Sequence, residues 1–308
     1  MGYLYRYFNA RVDPRELLPG SKSVIVAALS YHQEPPTGDV ESPGQRGRVA
    51  MYAWGDDYHD VLGGRLDALL GWMREASGEP FDARAYVDTG PVQERVYAQY
   101  AGVGWIGKNT CVINPDVGSW ILLGVVICSL PLEPDAPALD QCGTCTLCLE
   151  ACPTGAIVEP WVVDATRCLS YLTIELKNAI PEPKREALGA HVFGCDICQD
   201  VCPWNATPPI SGDPAWQPRV ALDHPRLLDL WNQSDPELAA AVAGGPLMRP
   251  KVRGLRRNLA VALGNSGHDE AGRALAEARD DPSIADPLVA EHVSWARRRL
   301  ETRERPAE

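Results

Sequence analysis

Residues 142 to 153 read Cys142-Gly-Thr-Cys145-Thr-Leu-Cys148-Leu-Glu-Ala-Cys152-Pro153. Cysteines spaced C-x2-C-x2-C-x3-C-P hold one iron–sulfur cluster with three thiolates and send the fourth to a second cluster. A second run must follow, and Cys195-x2-Cys198-x3-Cys202-Pro203 does. It lacks a leading cysteine, and Cys168, between the runs, fills the vacancy. The pseudo-symmetric assignment puts Cys142, Cys145, Cys148 and Cys202 on one [4Fe–4S] cluster. Cys152, Cys168, Cys195 and Cys198 then hold the other.

Two plainer readings fit less well. Structural zinc takes four ligands, usually from two C-x2-C pairs, and eight cysteines exceed that. Disulfide scaffolds belong to short exported chains, whereas the opening Met1-Gly-Tyr-Leu-Tyr-Arg6 has neither an apolar core nor a twin arginine. Ten cysteines without such a signal point to a reducing, cytoplasmic compartment. Cys111 and Cys128 are left over and read as small core residues.

The elements that must position these thiols come from a 308-residue chain, 45% apolar and 23% charged, long enough for two or three domains. No apolar run reaches the roughly 18 residues of a membrane span. Residues 23–30 form a continuous apolar run, expected as a buried strand. Residues 33–48, rich in Pro, Gly and charge, read as a surface loop. Residues 56–77 carry Tyr58, Leu62, Leu66, Leu69 and Met73 at near-helical spacing. A strand over 83–88 should pass through Thr89-Gly-Pro91 into a helix with Pro91 at its first position and Gly102 past its end. Strands over 111–113 and 119–128 complete a layered α/β domain, residues 1–130.

Pro131, Pro134 and Pro137 lead into the two-cluster region, residues 131–210. Residues 211–308 read as helical, over 225–232, 236–242, 251–263, 270–278 and 288–300, a short solenoid of HEAT-like helix pairs. Net charge is −12, which argues against general polyanion binding. Yet residues 246–268 contain Arg249, Lys251, Arg253, Arg256 and Arg257 and no acid. On the 251–263 helix, Val252, Leu255, Leu259 and Ala262 share one face and the arginines another.

Gly102-Val-Gly104-Trp-Ile-Gly107-Lys108-Asn109 imitates two nucleotide-binding motifs. A dinucleotide fingerprint follows a strand and opens a helix; this run closes a helix and enters a strand. A phosphate loop needs Ser or Thr after the lysine, where Asn109 stands. The glycines are expected to admit a large ligand close to the backbone.

Taken together, several phrases resemble the epoxyqueuosine reductases, cobalamin-dependent iron–sulfur enzymes of queuosine-tRNA synthesis. They are Gly2-Tyr-Leu-Tyr-Arg6, Leu18-Pro-Gly20, Tyr86-Val-Asp-Thr-Gly-Pro91 and Ala101-Gly-Val-Gly-Trp-Ile-Gly-Lys-Asn-Thr110. Further phrases are Cys152-Pro-Thr-Gly-Ala-Ile157, Cys168-Leu-Ser-Tyr-Leu-Thr-Ile-Glu175 and Gly194-Cys-Asp-Ile-Cys-Gln-Asp-Val-Cys-Pro-Trp-Asn205. The resemblance implies a base-off cobalamin in the α/β domain, fed by the nearer cluster, and two-electron removal of an epoxide oxygen from a modified tRNA base. The corrinoid motif D-x-H-x-x-G starts at Asp57-Tyr-His59 but has Leu62 where glycine belongs, so no protein axial ligand is expected.

The departing oxygen must be protonated, and Asp88 is the position the resemblance offers, its plain alternative being a helix cap. The resemblance further implies corrinoid contacts from Arg6, Lys108, Asn109, Val112, Ser170, Cys195 and Asp196, and tRNA contact from Lys177. The basic helix with Arg249, Lys251, Arg253, Arg256 and Arg257 should grip tRNA phosphates. Family members usually carry a segment ahead of the Tyr-Leu-x-Arg phrase, which would help close the cobalamin pocket. A low-potential electron donor, a monomeric state and no membrane contact complete the expectation. The rival readings are a reductive dehalogenase and a ferredoxin-type electron carrier.

Overall fold

A computed structural model of the protein describes residues 3–34, 45–219, 222, 225–277 and 285–303. Most of the loop expected over 33–48, and residue 278 of an expected helix, lie outside these. Two short helices open the chain, α1 (Tyr3–Arg6) and α2 (Phe8–Val12). At four and five residues they are too short to show a period, and no pattern in the residues marks them.

Strand β1 (Ser23–Ser30) follows, then the two-residue β2 (Arg48–Val49) and helix α3 (Tyr58–Ala76). The Asp57 carboxylate accepts from the His59 amide at 3.0 Å and caps α3. Leu62, Leu66, Leu70 and Met73, one helical stripe, are buried. Strand β3 (Ala83–Tyr86) comes next, then helix α4 (Glu94–Tyr100), the hairpin β4 (Trp105–Ile106) and β5 (Val112–Ile113), and strand β6 (Ile121–Cys128). Elements alternate along the chain as expected, but β6 inserts between β1 and β3 and runs antiparallel to both. Gly124 on β6 lets α3 lie close, since a β-carbon there would stand 2.9 Å from Leu66 Cδ1.

The helix expected from Pro91 starts instead at Glu94, because residues 88–93 are used as a loop. The glycine run also serves a different end. A β-carbon on Gly104 would stand 2.3 Å from the Ile113 carbonyl, and one on Gly107 2.5 Å from Ile113 Cδ1. These glycines admit the chain's own β5 rather than a ligand.

The cluster region contributes α5 (Leu147–Ala151), the hairpin β7 (Ile157–Glu159) and β8 (Val162–Val163), a π-helical turn over Tyr171–Glu175, α6 (Glu182–Arg185), β9 (His191–Phe193) and α7 (Ile197–Asp200). Strand β9 pairs in parallel with β2. The remaining helices are α8 (Leu227–Trp231), α9 (Asp235–Val242), α10 (Lys251–Ser266), α11 (Asp269–Glu277) and α12 (Pro287–Arg303), close to the expected spans. One large core joins Tyr31, Val49 and Trp54 to Leu172 and Phe193 and then to Leu255, Leu259 and Val293. Among the described residues no helix is long and apolar enough to cross a membrane.

Helix α10 departs from the amphipathic expectation, being buried from Gly254 to Gly264. Arg256 and Arg257 are 2% and 0% exposed, so neither presents its charge to a phosphate. Arg256 donates to the carbonyls of Trp231 and Gln233 and pairs with Asp235 at 3.0 Å. Arg257 donates to Leu172 O at 2.8 Å, Leu176 O at 2.6 Å and Asn178 O at 2.8 Å, the carbonyls at and beyond the π-helical turn. Burial lowers its pKa to about 10, still well above neutrality. Asn258 donates to Thr173 O and Val192 O, both at 2.8 Å.

Replacing Arg257 by Met strands three carbonyls, and the expected loss is about 3 kcal/mol. That corresponds to a fall in thermal midpoint of about 5 °C for a chain of this size, read by calorimetry on cluster-loaded protein.

Candidate active site

The two ferredoxin runs come together through α5 and α7, which pack on each other. Cys142, Cys145, Cys148 and Cys202 line one cavity of about 280 Å³, walled by Ile113, Leu147, Pro203 and Trp204. They surround a space rather than converge on a point, the arrangement a multi-iron cluster needs. The thiol of Cys202 is raised by burial and by its neighbours Cys142, Cys145 and Cys198. Burial also pushes Cys195 up to about 12, with Cys198 and Cys168 adding to the effect. Cys152 lies within electrostatic reach of Cys198. Four cysteines thus line one space, Cys195 lies near Cys168 and Cys198, and all ten are free thiols.

Cys128 is fully buried, as expected. Cys111 is not a core residue: it lines a cleft, with its thiol close to that of Cys198.

That cleft, about 740 Å³, opens between α2, the 88–96 segment, β5 and the start of β6. Val92, Val96, Val112, Ile121, Leu122 and Leu123 give it an apolar wall, and Tyr31, Tyr52 and Tyr58 a polar-tipped one. Gln199 on α7 reaches it beside Cys198, so the second cysteine set abuts the cleft. Among the described residues that line it there is no histidine.

Of the residues expected at a corrinoid, Val112 and Asp88 line the cleft and the others do not. Arg6 is exposed at the end of α1, and α2 supplies Phe8, Arg11 and Val12 instead. Lys108 is turned away: its ammonium donates to Gly143 O at 2.7 Å and Cys145 O at 2.9 Å, fastening the first cysteine loop. Asn109 donates to Cys198 O at 3.2 Å and accepts from the Cys111 amide. Ser170 begins the π-helical turn. Asp196 accepts from the Met51 amide at 2.7 Å and, being buried, is pushed up to about 7. Cys195 belongs to the second cysteine set.

Asp88 sits two residues beyond β3 with φ of 54°, a conformation costly for a residue with a β-carbon. Its amide donates to Glu94 Oε1 at 2.7 Å, which holds the turn. It caps no helix, since Gln93 occupies that position before α4. The Tyr58 hydroxyl lies near enough to its carboxylate to help lower its pKa. His59 Nε2 lies 3.5 Å from Asp88 Oδ2, an ion-pair distance rather than a formed hydrogen bond. The other ring nitrogen, Nδ1, is 2.7 Å from Asp57 Oδ1. His59 chiefly holds the Asp88 carboxyl below its usual range, and Asp88 chiefly raises His59. Glu94 behaves oppositely: burial, then the charge of Asp88, pushes it up to about 7.

Sequence reasoning missed Glu94, Tyr52, Tyr58 and Arg11, and saw His59 only as part of a broken motif. The adjacency of Gln93-Glu94 to the Asp88 loop was the available signal.

The basic residues divide. Lys177 is exposed and donates to Ile174 O and Arg249 O. Arg249 pairs with Glu175 at 3.0 Å and Arg253 with Asp286 at 2.7 Å, both arginines remaining more than half exposed. Lys251 is exposed beside them. The positive charge of Arg249 reaches Asp88, so this patch lies by the acid.

Residues 11–89 match the family model described as epoxyqueuosine reductase QueG, DUF1730, and residues 141–205 match a 4Fe-4S double cluster binding domain. The chain therefore carries two iron–sulfur clusters. It is 41% identical over 299 residues to the epoxyqueuosine reductase of Xanthomonas campestris, covering 96% of this chain and 83% of that one. Against the Pseudomonas aeruginosa enzyme it is 43% identical, covering 97% and 82%. A crystal structure of an epoxyqueuosine reductase with an epoxyqueuosine-modified tRNA-Tyr stem loop superposes with a TM-score of 0.88 at 34% identity, over 95% of this chain and 77% of that one. A Bacillus subtilis epoxyqueuosine reductase, whose aspartate catalytic loop is swung out of the active site, also gives 0.88 at 33% identity, with the same coverage of both chains. With its paired cysteine sets, its apolar cleft and this likeness over nearly all of its length, the chain belongs to the epoxyqueuosine reductase family.

Proposed function

We propose that this chain reduces epoxyqueuosine to queuosine in tRNA, with cobalamin in the cleft and electrons passed inward through the clusters. The observation that carries the proposal is Asp88, held in a strained turn at the rim of an apolar cleft that abuts one cysteine set. The cleft suits a large flat cofactor: one broad wall is aliphatic, and its rim carries charged and polar side chains. Val112, Ile121, Leu122 and Leu123 would lie against it and exclude water. Bound cobalamin would supply a strongly reducing centre that accumulates two electrons delivered singly.

The chain's own residues supply the rest. Tyr58 and His59 orient Asp88, and Asp57 fixes the imidazole. The Asp88–His59 pair holds a proton that the departing epoxide oxygen needs. Gln199, one residue from Cys198, brings the second cluster's ligand loop to the cleft. Fold assignments follow: residues 1–130 as the cobalamin domain, 131–210 as the two-cluster domain, and 211–308 as a HEAT-like tRNA-binding region. The protein works in the cytoplasm as a monomer and draws on a low-potential donor.

For tRNA the exposed cations are Lys177, Arg249, Lys251 and Arg253. Their position near Asp88 would bring a phosphate backbone to the mouth of the cleft, with the modified base directed inward.

Protein loaded anaerobically with iron, sulfide and cobalamin should convert epoxyqueuosine-tRNA to queuosine, identified by nucleoside analysis, and omission of cobalamin should abolish the product. Product without cobalamin would refute the cofactor assignment. Asp88→Asn should slow turnover about 10²–10⁴-fold with both clusters' absorption unchanged.

A nitrogen-split Co(II) signal from the anaerobic, loaded protein would contradict a cleft without an axial imidazole. Lys177→Glu and Lys251→Glu should weaken tRNA binding and reduce the slope of log K against log salt by about 1 for each phosphate no longer neutralised. An unchanged slope in the double variant would remove the patch from the interface.

A further inference from the structure

Removal of an epoxide oxygen consumes more than one proton. Both C–O bonds break, two electrons complete the new C=C bond, and the oxygen leaves as water after taking up two protons. The low-potential donor supplies the electrons through the clusters. The Asp88–His59 pair shares one proton, so a second must come from elsewhere.

Glu94 occupies the right place. It opens α4, lines the same cleft as Asp88, and its Oε1 accepts from the Asp88 amide at 2.7 Å. Asp88 thus lies between two groups, His59 at 3.5 Å on one side and Glu94 on the other. We propose that Glu94 is the second proton donor of the reaction, delivering to the departing oxygen the proton that the Asp88–His59 pair cannot. The inference rests on the epoxide reduction proposed above.

The electrostatics agree with the geometry. Charged groups facing Glu94 are Asp88 on the turn, Arg95 on its own helix and Arg11 on α2. The hydrogen bond from the Asp88 amide and then the two arginines draw it down, but burial and the charge of Asp88 outweigh them and lift it to about 7. A carboxylic acid so placed keeps its proton below neutrality and releases it near working pH, the condition for an efficient general acid. Because the protonated form is the active one, turnover should fall as pH rises through about 7.

A plainer role is holding the turn, through the hydrogen bond that Glu94 accepts from Asp88. Two substitutions separate the roles. Glu94→Gln keeps an oxygen to accept from the amide and loses the proton; Glu94→Ala loses both.

On cluster- and cobalamin-loaded enzyme with epoxyqueuosine-tRNA, E94Q should lower kcat about 100-fold or more. KM for tRNA should be unchanged, and the alkaline limb near pH 7 should disappear. Infrared difference spectra taken on either side of that limb should lose a protonated-carboxyl band in E94Q, a readout independent of turnover.

Wild-type rate and pH profile in E94Q, with E94A inactive, would overturn this inference alone and leave Glu94 a holder of the turn. Absence of a Glu94 band on the acid side would overturn it as well. A loaded wild-type enzyme that makes no queuosine would overturn the reaction and this inference together.

Discussion

Every cysteine expected to bind a cluster sits on a loop or on a helix of four or five residues, and such helices have no stability of their own. The constraint on the whole fold is to hold those loops still from outside. Buried donors aimed at backbone carbonyls do so. Lys108 grips Gly143 and Cys145 from the β4–β5 hairpin. Arg257 and Asn258, on the most deeply buried helix, grip the turn that follows Cys168 and the strand that precedes Cys195. A cation suits this task because one guanidinium reaches three carbonyls in fixed directions, which no single neutral side chain manages. The surrounding apolar core makes the arrangement unforgiving, since any carbonyl released there has no water to replace its donor.

At the cleft the constraint changes from packing to conformation. Asp88 is held at positive φ by one hydrogen bond from its amide to Glu94. Carboxyls near one another cannot all be ionised cheaply where one of them is partly buried. Here the settlement is uneven, since His59 and Tyr58 stabilise a charged Asp88 while Glu94 retains its proton. The bond that shapes the turn favours an ionised Glu94, and burial together with the charge of Asp88 outweighs it.

Much of this could be read from the residues. Cysteine spacing carries its own geometry, so a two-cluster region could be read without any coordinates, as could the stripe Leu62, Leu66 and Met73 on α3. What escaped depended on contacts distant in sequence. Nothing local says that β6 slides between β1 and β3, because a continuous apolar run is equally suited to parallel and antiparallel neighbours. Cys111 looked like a small core residue because its nearness to Cys198 arises between segments far apart along the chain. The glycine run was rightly denied a nucleotide, but the chain that approaches it is its own strand β5.

The basic helix shows where composition misleads. Five cations without an acid over residues 246–268 look like a phosphate grip, yet the acids that answer them, Glu175, Asp235 and Asp286, come from other parts of the chain. Helical phase decides which cations remain outside. Arg256 and Arg257 follow Leu255 onto the buried side and become internal clamps. Lys251 and Arg253, a turn earlier, stay in solvent with Arg249 and Lys177. An acidic protein can meet an RNA through so small a patch because screening confines the repulsion of its distant carboxylates to about 8–10 Å at ordinary salt. Arg249, whose charge reaches Asp88, and the cations beside it shape the local potential there against a net charge of −12.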